Sequence, residues 1–308
     1  MAGHRGMVGS AVVRRLTDEG YTRIITRTHQ ELDLTRQEQV DRFLEQEKPE
    51  IVILAAANVG GILANNTYRA EFIYQNTMIA ANVIHAAWKY NVRTLLNLGS
   101  SCIYPRNAPQ PMKEDHLLTG PLEPTNEPYA IAKIAAIKLC RSYHEQYGCN
   151  FFSAMPCNLY GPGDNYDPET SHVLAALVRK AVEARQSGAR SIIVWGDGTP
   201  LREFLHVDDL ADAVLFLLRE HSADSLVRRG LVDRFVNVGS GQEVSIRELA
   251  QIVCRAAGFE GELEFDTAKP NGTPRKLMDS ACMTDMGWGA QIPLEAGVSG
   301  VVASSRAE

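Results

Sequence analysis

Ala2-Gly3-His4-Arg5-Gly6-Met7-Val8-Gly9-Ser10 sets three glycines three residues apart at the mouth of a predicted helix, Gly6 to Arg15. In a nucleotide-binding loop the first glycine permits a tight turn, the second lets backbone approach a pyrophosphate, and the third allows close helix packing. The free N–H groups and the positive dipole end of the helix then face the phosphates. Alone the motif is weak, because three glycines in a turn are often only a turn.

The surrounding chain strengthens it. Ile51-Val52-Ile53-Leu54-Ala55 and Leu95-Leu96-Asn97-Leu98 are apolar runs of the kind expected for strands buried on both faces. Arg23-Ile24-Ile25-Thr26 and Phe151 to Met155 read as further strands. Thr35 to Glu47, Tyr68 to Tyr90 and Tyr129 to Tyr147 read as helices. This βαβ rhythm predicts an α/β fold, a doubly wound parallel sheet of Rossmann type, with ligands outside the carboxyl ends of the strands. The second half is less regular. Ser191 to Trp195 and Arg234 to Val238 read as strands, Val207 to Arg219 and Ile246 to Ala257 as helices, and turns fall at 165–168, 196–200 and 269–274. We expect a Rossmann domain over residues 1–165, with returning segments near 191–210 and 232–240. The smaller, discontinuous substrate-binding lobe would occupy mainly 166–308.

One feature conflicts with the motif. A strand should precede the glycine loop, yet only Met1 and Ala2 stand before Gly3. The first strand, central to such a sheet, is therefore expected to be missing. Its neighbours would be left with unpaired buried backbone groups at about 1–3 kcal/mol each.

The 308 residues suggest two lobes or one large α/β unit. With 45% hydrophobic and 22% charged residues the chain is globular in composition, and no apolar run approaches the ~18 residues of a membrane span. A net charge of -6 gives no basic field for nucleic acid. The six cysteines form no C-x-x-C pair and match no zinc or other metal pattern. Without a secretory signal, a reducing cytoplasm is the simplest location.

After the second expected strand comes Thr26-Arg27-Thr28-His29, with no carboxylate before Glu31 to take ribose hydroxyls. Arg5 in the loop and Arg27 at the strand end would suit a 2′-phosphate, so NADP is favoured over NAD. Further along, Tyr129-x-x-x-Lys133 follows Pro128 at a helix start. Residues four apart share a face, so hydroxyl and ammonium point the same way. A phenol near pKa ~10 is a poor catalyst at neutral pH, and a neighbouring cation is expected to lower it. The pair would hand a proton to a carbonyl oxygen. With ten tyrosines and eight lysines, about 0.26 such pairs arise by chance. The weight comes from order: nucleotide loop, then a strand ending at Ser100, then Tyr129 and Lys133.

These blocks resemble the extended short-chain dehydrogenase/reductases that act on nucleotide sugars, and within them the GDP-L-fucose synthase family. The resemblance rests on residues 2–10, Val59-Gly60-Gly61-Ile62 with Asn65-Asn66-Thr67, Leu98-Gly99-Ser100-Ser101-Cys102-Ile103-Tyr104-Pro105, and residues 123–133. Asn158-Leu159-Tyr160-Gly161-Pro162, residues 202–209 and Gly272-Thr273-Pro274-Arg275-Lys276 complete it. It implies a bifunctional enzyme that epimerises C3 and C5 of GDP-4-keto-6-deoxy-D-mannose and then reduces the C4 ketone with NADPH. Ser100, Tyr129 and Lys133 would serve the reduction, and Cys102 with His172 the epimerisation. Cofactor contacts would come from Gly3, His4, Arg5, Gly6, Met7, Val8 and Gly9, from Leu98, Gly99, Ser100 and Ser101, and from Lys133, Pro156, Cys157, Asn158, Leu159 and His172. Lys180, Trp195, Arg202 and Asn271 would hold the GDP-sugar. Lys180, Asn271 and His29 depart from the family pattern of arginine, aspartate and arginine, which bears on nucleotide affinity and NADP preference. The resemblance also implies a homodimer through the helices near 68–90 and 129–147.

Protons beside a ketone are acidic, and inversion needs removal on one face and delivery on the other. An imidazole titrates in the right range unaided, and a thiol does so beside a cation or a helix end. The rival readings are another nucleotide-sugar 4-epimerase or 4,6-dehydratase, or an inactive scaffold lacking its first strand. A dehydratase is expected to carry an Asp-Glu pair where this chain has Cys102-Ile103. A Cys–His hydrolase built on Cys102 and His172 would leave the glycine loop and the Tyr129–Lys133 pair unexplained.

Overall fold

A computed structural model describes residues 1–167, 170–269 and 271–305. Pro168 and Pro270, parts of two expected turns, lie outside the described residues. The apolar runs form parallel strands β1 (Ile51–Leu54), β2 (Thr94–Leu98) and β3 (Asn150–Pro156), followed by β4 (Asn158–Tyr160), β5 (Ser191–Trp195), β6 (Leu201–His206) and β7 (Phe235–Val238). The shorter β8 (Glu243–Ser245), β9 (Glu262–Asp266) and β10 (Arg275–Lys276) complete the set. The main sheet runs β1-β2-β3-β7, all parallel, with Ile51 opposite Thr94, Thr94 opposite Asn150 and Ser153 opposite Phe235.

Alternation along the strands divides the core between two faces. Ile53, Leu96 and Phe152 pack with α1 (Met7–Asp18) and residues of the later helix 207–220, while Val52, Leu54, Leu95 and Phe151 pack with α2 (Gln37–Glu47) and residues of the helix 69–89. Leu95, Leu96, Phe151 and Phe152 are completely buried, each stabilising the fold by roughly 1.5–3 kcal/mol relative to exposure. The sheet is thus covered on both faces, as a doubly wound parallel sheet requires.

The remaining helices are α3 (Ile62–Thr67), α4 (Arg69–Lys89), α5 (Glu127–Tyr147), α6 (Val173–Ser187), α7 (Val207–Glu220), α8 (Ala223–Arg228), α9 (Ile246–Ala257), α10 (Ala281–Asp285) and α11 (Leu294–Ser305). α5 starts with Pro128 in its first turn and stops at Gly148, which takes the left-handed conformation at φ 70°. A second core gathers α6, α9 and α11 around Ile192, Val194, Tyr160 and Phe204. There β6 lies between β4 and β10, with β8 antiparallel on it, and β5 pairs with β9.

The expected strand at Arg23–Thr26 does not form. The Met1 ammonium donates to the Ile25 carbonyl at 2.9 Å. On the other side Ala2 bridges Leu54, with Ala2 N–H to the Ile53 carbonyl at 3.0 Å and Ala55 N–H to the Ala2 carbonyl at 3.1 Å. A ladder needs a run of paired residues, and here Met1 and Ala2 supply only the end of one. The position between Ile25 and β1 therefore holds a bridge rather than a strand. Its bonds fall at the carboxyl end of β1, where the glycine loop turns.

Candidate active site

The loop after Ala2 makes the turn that the spacing predicts. Gly3 has φ 86°, a conformation costly for any residue with a Cβ. A Cβ on Gly9 would lie 1.9 Å from the Gly3 carbonyl oxygen, so the start of α1 presses directly on the loop. A Cβ on Gly6 would meet only that oxygen, at 3.6 Å, and otherwise project into open space. Gly6 caps α1 without any side-chain bond. The first turn therefore offers its N–H groups to the cleft, an arrangement that fits a dinucleotide diphosphate.

All the residues expected from the sequence line one cleft of about 1770 Å³. Ligand sites commonly measure ~300–1,000 Å³, so there is room for a dinucleotide and a second nucleotide together. At its centre β2 ends at Leu98. Ser100 follows in extended conformation and caps a single 3-10 turn, Ser101–Ile103, by accepting the Cys102 N–H at 3.4 Å. The same hydroxyl stands near the Tyr129 phenol and the Cys102 thiol, where it favours the charged form of each against the larger effect of burial. One serine thus joins the group expected to serve reduction and one of those expected to serve epimerisation.

Lys133 lies one turn beyond Tyr129 on α5. Its ammonium donates to the Leu98 carbonyl at 2.8 Å and stands 5.7 Å from the centre of the Tyr129 ring. The expected lowering of the phenol pKa is not what this environment produces. Burial raises Tyr129 well above the ordinary range, with the Cys102 sulfur adding to the rise, and burial pulls Lys133 down to about 8. Desolvation penalises both charged forms more than the pair favours them. Cys102 is buried and its thiol is raised by burial, opposed by the Lys276 and Lys133 cations and by Ser100.

His172 caps the N-terminus of α6. Its ring is open to the cleft, but the protein around it and the Lys276 ammonium hold its pKa below the usual value. Lys276 was quoted within a motif but given no role by the sequence reading. In the fold β10 pairs it opposite Arg202, and its electrostatic neighbours include Cys102, Arg202, Cys157 and His172. Burial lowers its pKa, and among the described residues no carboxylate pairs with it. Arg202, opposite, spends one N–H on the Leu201 carbonyl at 2.8 Å and pairs with no carboxylate among the described residues. Two adjacent cations without counter-charges suit an anionic ligand.

At the mouth, Trp195 is 59% exposed. The Lys180 ammonium lies 5.7 Å and the Lys269 ammonium 5.2 Å from its ring centre. Lys180 also donates to the Ile193 carbonyl at 2.8 Å. Asn271 is partly committed to the fold, since its side-chain oxygen accepts the Asp197 N–H at 2.9 Å in the turn after Trp195. Deeper in, Asn158 donates to the Glu203 carbonyl at 2.8 Å and Cys157 N–H to Val238 at 3.1 Å, which fixes the 156–159 wall. On the cofactor side Arg27 differs from expectation. Its guanidinium pairs with Glu47 at 2.5 Å and lies 5.3 Å from the Phe43 ring centre. Arg5 remains exposed at the cleft, and His29 is largely exposed beside it.

A glycine loop feeding a helix start at the carboxyl edge of a parallel sheet, with a serine, a tyrosine and a lysine gathered at the next strand, defines a dinucleotide-binding enzyme. The chain belongs to the NAD dependent epimerase/dehydratase family, whose model matches residues 1–239. It is 58% identical over 299 residues to GDP-L-fucose synthase 1 of Arabidopsis thaliana, covering 97% of this chain and 90% of that protein. Among solved structures it is similar to a GDP-6-OMe-4-keto-L-xylo-heptose reductase from C. jejuni, with a TM-score of 0.93 at 36% identity over 99% of this chain and 96% of that one. It is also similar to a GDP-L-fucose synthetase from Naegleria fowleri bound to NADP, with a TM-score of 0.88 at 27% identity, covering 98% and 91% of the two chains.

Proposed function

We propose that this protein is a GDP-L-fucose synthase, converting GDP-4-keto-6-deoxy-D-mannose to GDP-L-fucose by inverting C3 and C5 and reducing the C4 ketone with NADPH. The observation that carries this reading is that Ser100, which accepts the Cys102 N–H, lines one cleft together with Tyr129, Lys133, Cys102 and His172. A reductase alone has no need of a thiol there. The relatives named above act on substrates or make products of this class.

NADPH supplies the hydride when bound. The chain's residues do the rest. Ser100 holds the C4 oxygen and Tyr129 gives it a proton, while Lys133 secures the strand end below them. Cys102 and His172 flank the ring. At neutral pH their environments favour a thiol and a neutral imidazole, so the pair holds one transferable proton. One member takes a proton from the carbon beside the ketone, leaving an enolate, and the other returns one to the opposite face. Lys276 and Arg202 hold the diphosphate, and Trp195 covers the base.

The test is turnover of GDP-4-keto-6-deoxy-D-mannose with NADPH in deuterated water. The expected product is GDP-L-fucose carrying deuterium at C3 and C5, with one NADPH consumed per turnover. NADPH consumption without inversion at either carbon would overturn the reading.

The same proposal includes a homodimer. α4 and α5 leave Ile73, Tyr74, Ile131 and Tyr147 exposed, and Trp88 stacks on Tyr147 at 4.5 Å. A second copy would cover this face. No helix of the described residues is long and apolar enough to cross a membrane, and we place the enzyme in the cytoplasm.

A further inference from the structure

The two residues before His172 touch a loop more than a hundred residues earlier. Gly61 donates its N–H to the Thr170 carbonyl at 3.0 Å. A Cβ on Gly61 would lie 3.0 Å from the Thr170 carbonyl oxygen and 3.1 Å from that of Ser171. Its φ of -65° is open to any residue, so what requires glycine here is closeness and not conformation. Gly61 is itself braced by Asn65. That side chain is 6% exposed and donates to the Gly60 carbonyl at 2.6 Å and the Gly61 carbonyl at 3.0 Å.

From the other side Asp167 accepts the Thr170 N–H and hydroxyl, each at 2.9 Å, and Asn165 donates to that hydroxyl at 2.8 Å. Residues 170 and 171 are therefore held by bonds within their own loop and by the Gly61 loop, and the next residue is His172, which caps α6.

We propose that Gly61, held by Asn65, is a positioning residue for His172: the loop after β1 fixes the place of the imidazole in the cleft and so controls epimerisation separately from reduction. This rests on the function proposed above. Proton transfer needs donor and acceptor within about 2.6–3.2 Å, and misplacements near 1 Å can cost on the order of 100-fold. A methyl on Gly61 displaces the two carbonyls by a few tenths of an ångström, for which about tenfold is the expected loss.

The experiment compares Gly61→Ala and Asn65→Ala with the wild type, using the keto-sugar and NADPH in deuterated water. Asn65→Ala removes the brace without adding volume. Deuterium at C3 and C5, the fraction of product reduced without inversion, and NADPH affinity are measured for each. Gly61→Ala should slow exchange about tenfold and Asn65→Ala several-fold, with more uninverted product and NADPH affinity within twofold. In a His172→Gln background, Gly61→Ala should cause no further loss of exchange. Wild-type exchange in both single variants, an equal additional loss in the His172→Gln background, or parallel loss of NADPH binding would each overturn the proposal. A wild-type enzyme that fails to exchange or invert would instead sink the underlying function.

Discussion

The Lys133 ammonium donates to the Leu98 carbonyl at 2.8 Å, tying α5 to the end of the strand that carries Ser100. A cation so placed acts on the backbone as well as on the phenol. Lys133→Met leaves that carbonyl unsatisfied, and a loss of about 1–3 kcal/mol is expected. The pH dependence separates this from a general packing defect. Burial lowers the folded pKa to about 8 from 10.5. Between those values the unfolded chain holds the extra proton, so this group makes wild-type stability rise with pH. Urea unfolding of wild type and variant at pH 7.5 and 10 should show a stability gap that widens at the higher pH.

Tyr129→Phe and Cys102→Ser should fail in opposite ways. Loss of the phenol should slow NADPH oxidation by roughly 10²–10⁴ while leaving deuterium exchange into the sugar. Loss of the thiol should do the reverse and permit slow reduction of uninverted sugar. Proton NMR of the sugar together with absorbance at the NADPH band reads both. Equal loss of both activities in either variant would contradict the division of labour.

Two glycines six and three residues after Gly3 should respond differently to alanine. At Gly9 the added carbon meets backbone at 1.9 Å, and a loss of about 1–3 kcal/mol is expected. At Gly6 it meets one oxygen at 3.6 Å, so thermal stability should hold while NADPH affinity falls. Thermal melts with and without NADPH distinguish the two. Equal melting temperatures for the two unliganded variants would be incompatible with the packing described.

Asp164 lies on the cleft wall beside Gly163, where burial raises its carboxyl to about 6 from 3.8. A raised carboxyl favours folding at low pH, and that contribution is lost as pH climbs through 6. Asp164→Asn keeps the acceptor for the Asn165 N–H, which the carboxylate bonds at 2.7 Å. The variant should melt a few degrees above wild type at pH 7.5, and the gain should vanish near pH 4. A pH-independent difference would show that the carboxyl is not desolvated there.

The alternation of apolar runs and helices was legible because buried parallel strands leave an unmistakable pattern, as in Ile51–Leu54 and Thr94–Leu98. Arg23–Thr26 has the same local pattern, but a strand exists only with a neighbour, and Met1 and Ala2 supply little of one. Leu201–His206 was not legible as a strand, because Arg202 and Glu203 interrupt its apolar run. In the fold Glu203 is completely buried and accepts the Gly241 N–H at 2.8 Å and the Met278 N–H at 3.0 Å. Arg27 looked free because its partner Glu47 is twenty residues away. Lys276 could be quoted from the sequence, but that Cys102 and His172 surround it is a product of long-range folding. Gly61 was visible as half of a glycine pair, with nothing to indicate that Thr170 presses against it.

The shared hydroxyl of Ser100 has one more consequence. In the proposed reaction the hexose need not travel between two workplaces: a reactive keto-sugar enters once, is turned over at two carbons and quenched at a third, and leaves only as a stable alcohol. Leakage of half-finished sugar into solution is thereby limited by architecture, through one side chain that stands beside the groups serving both transformations.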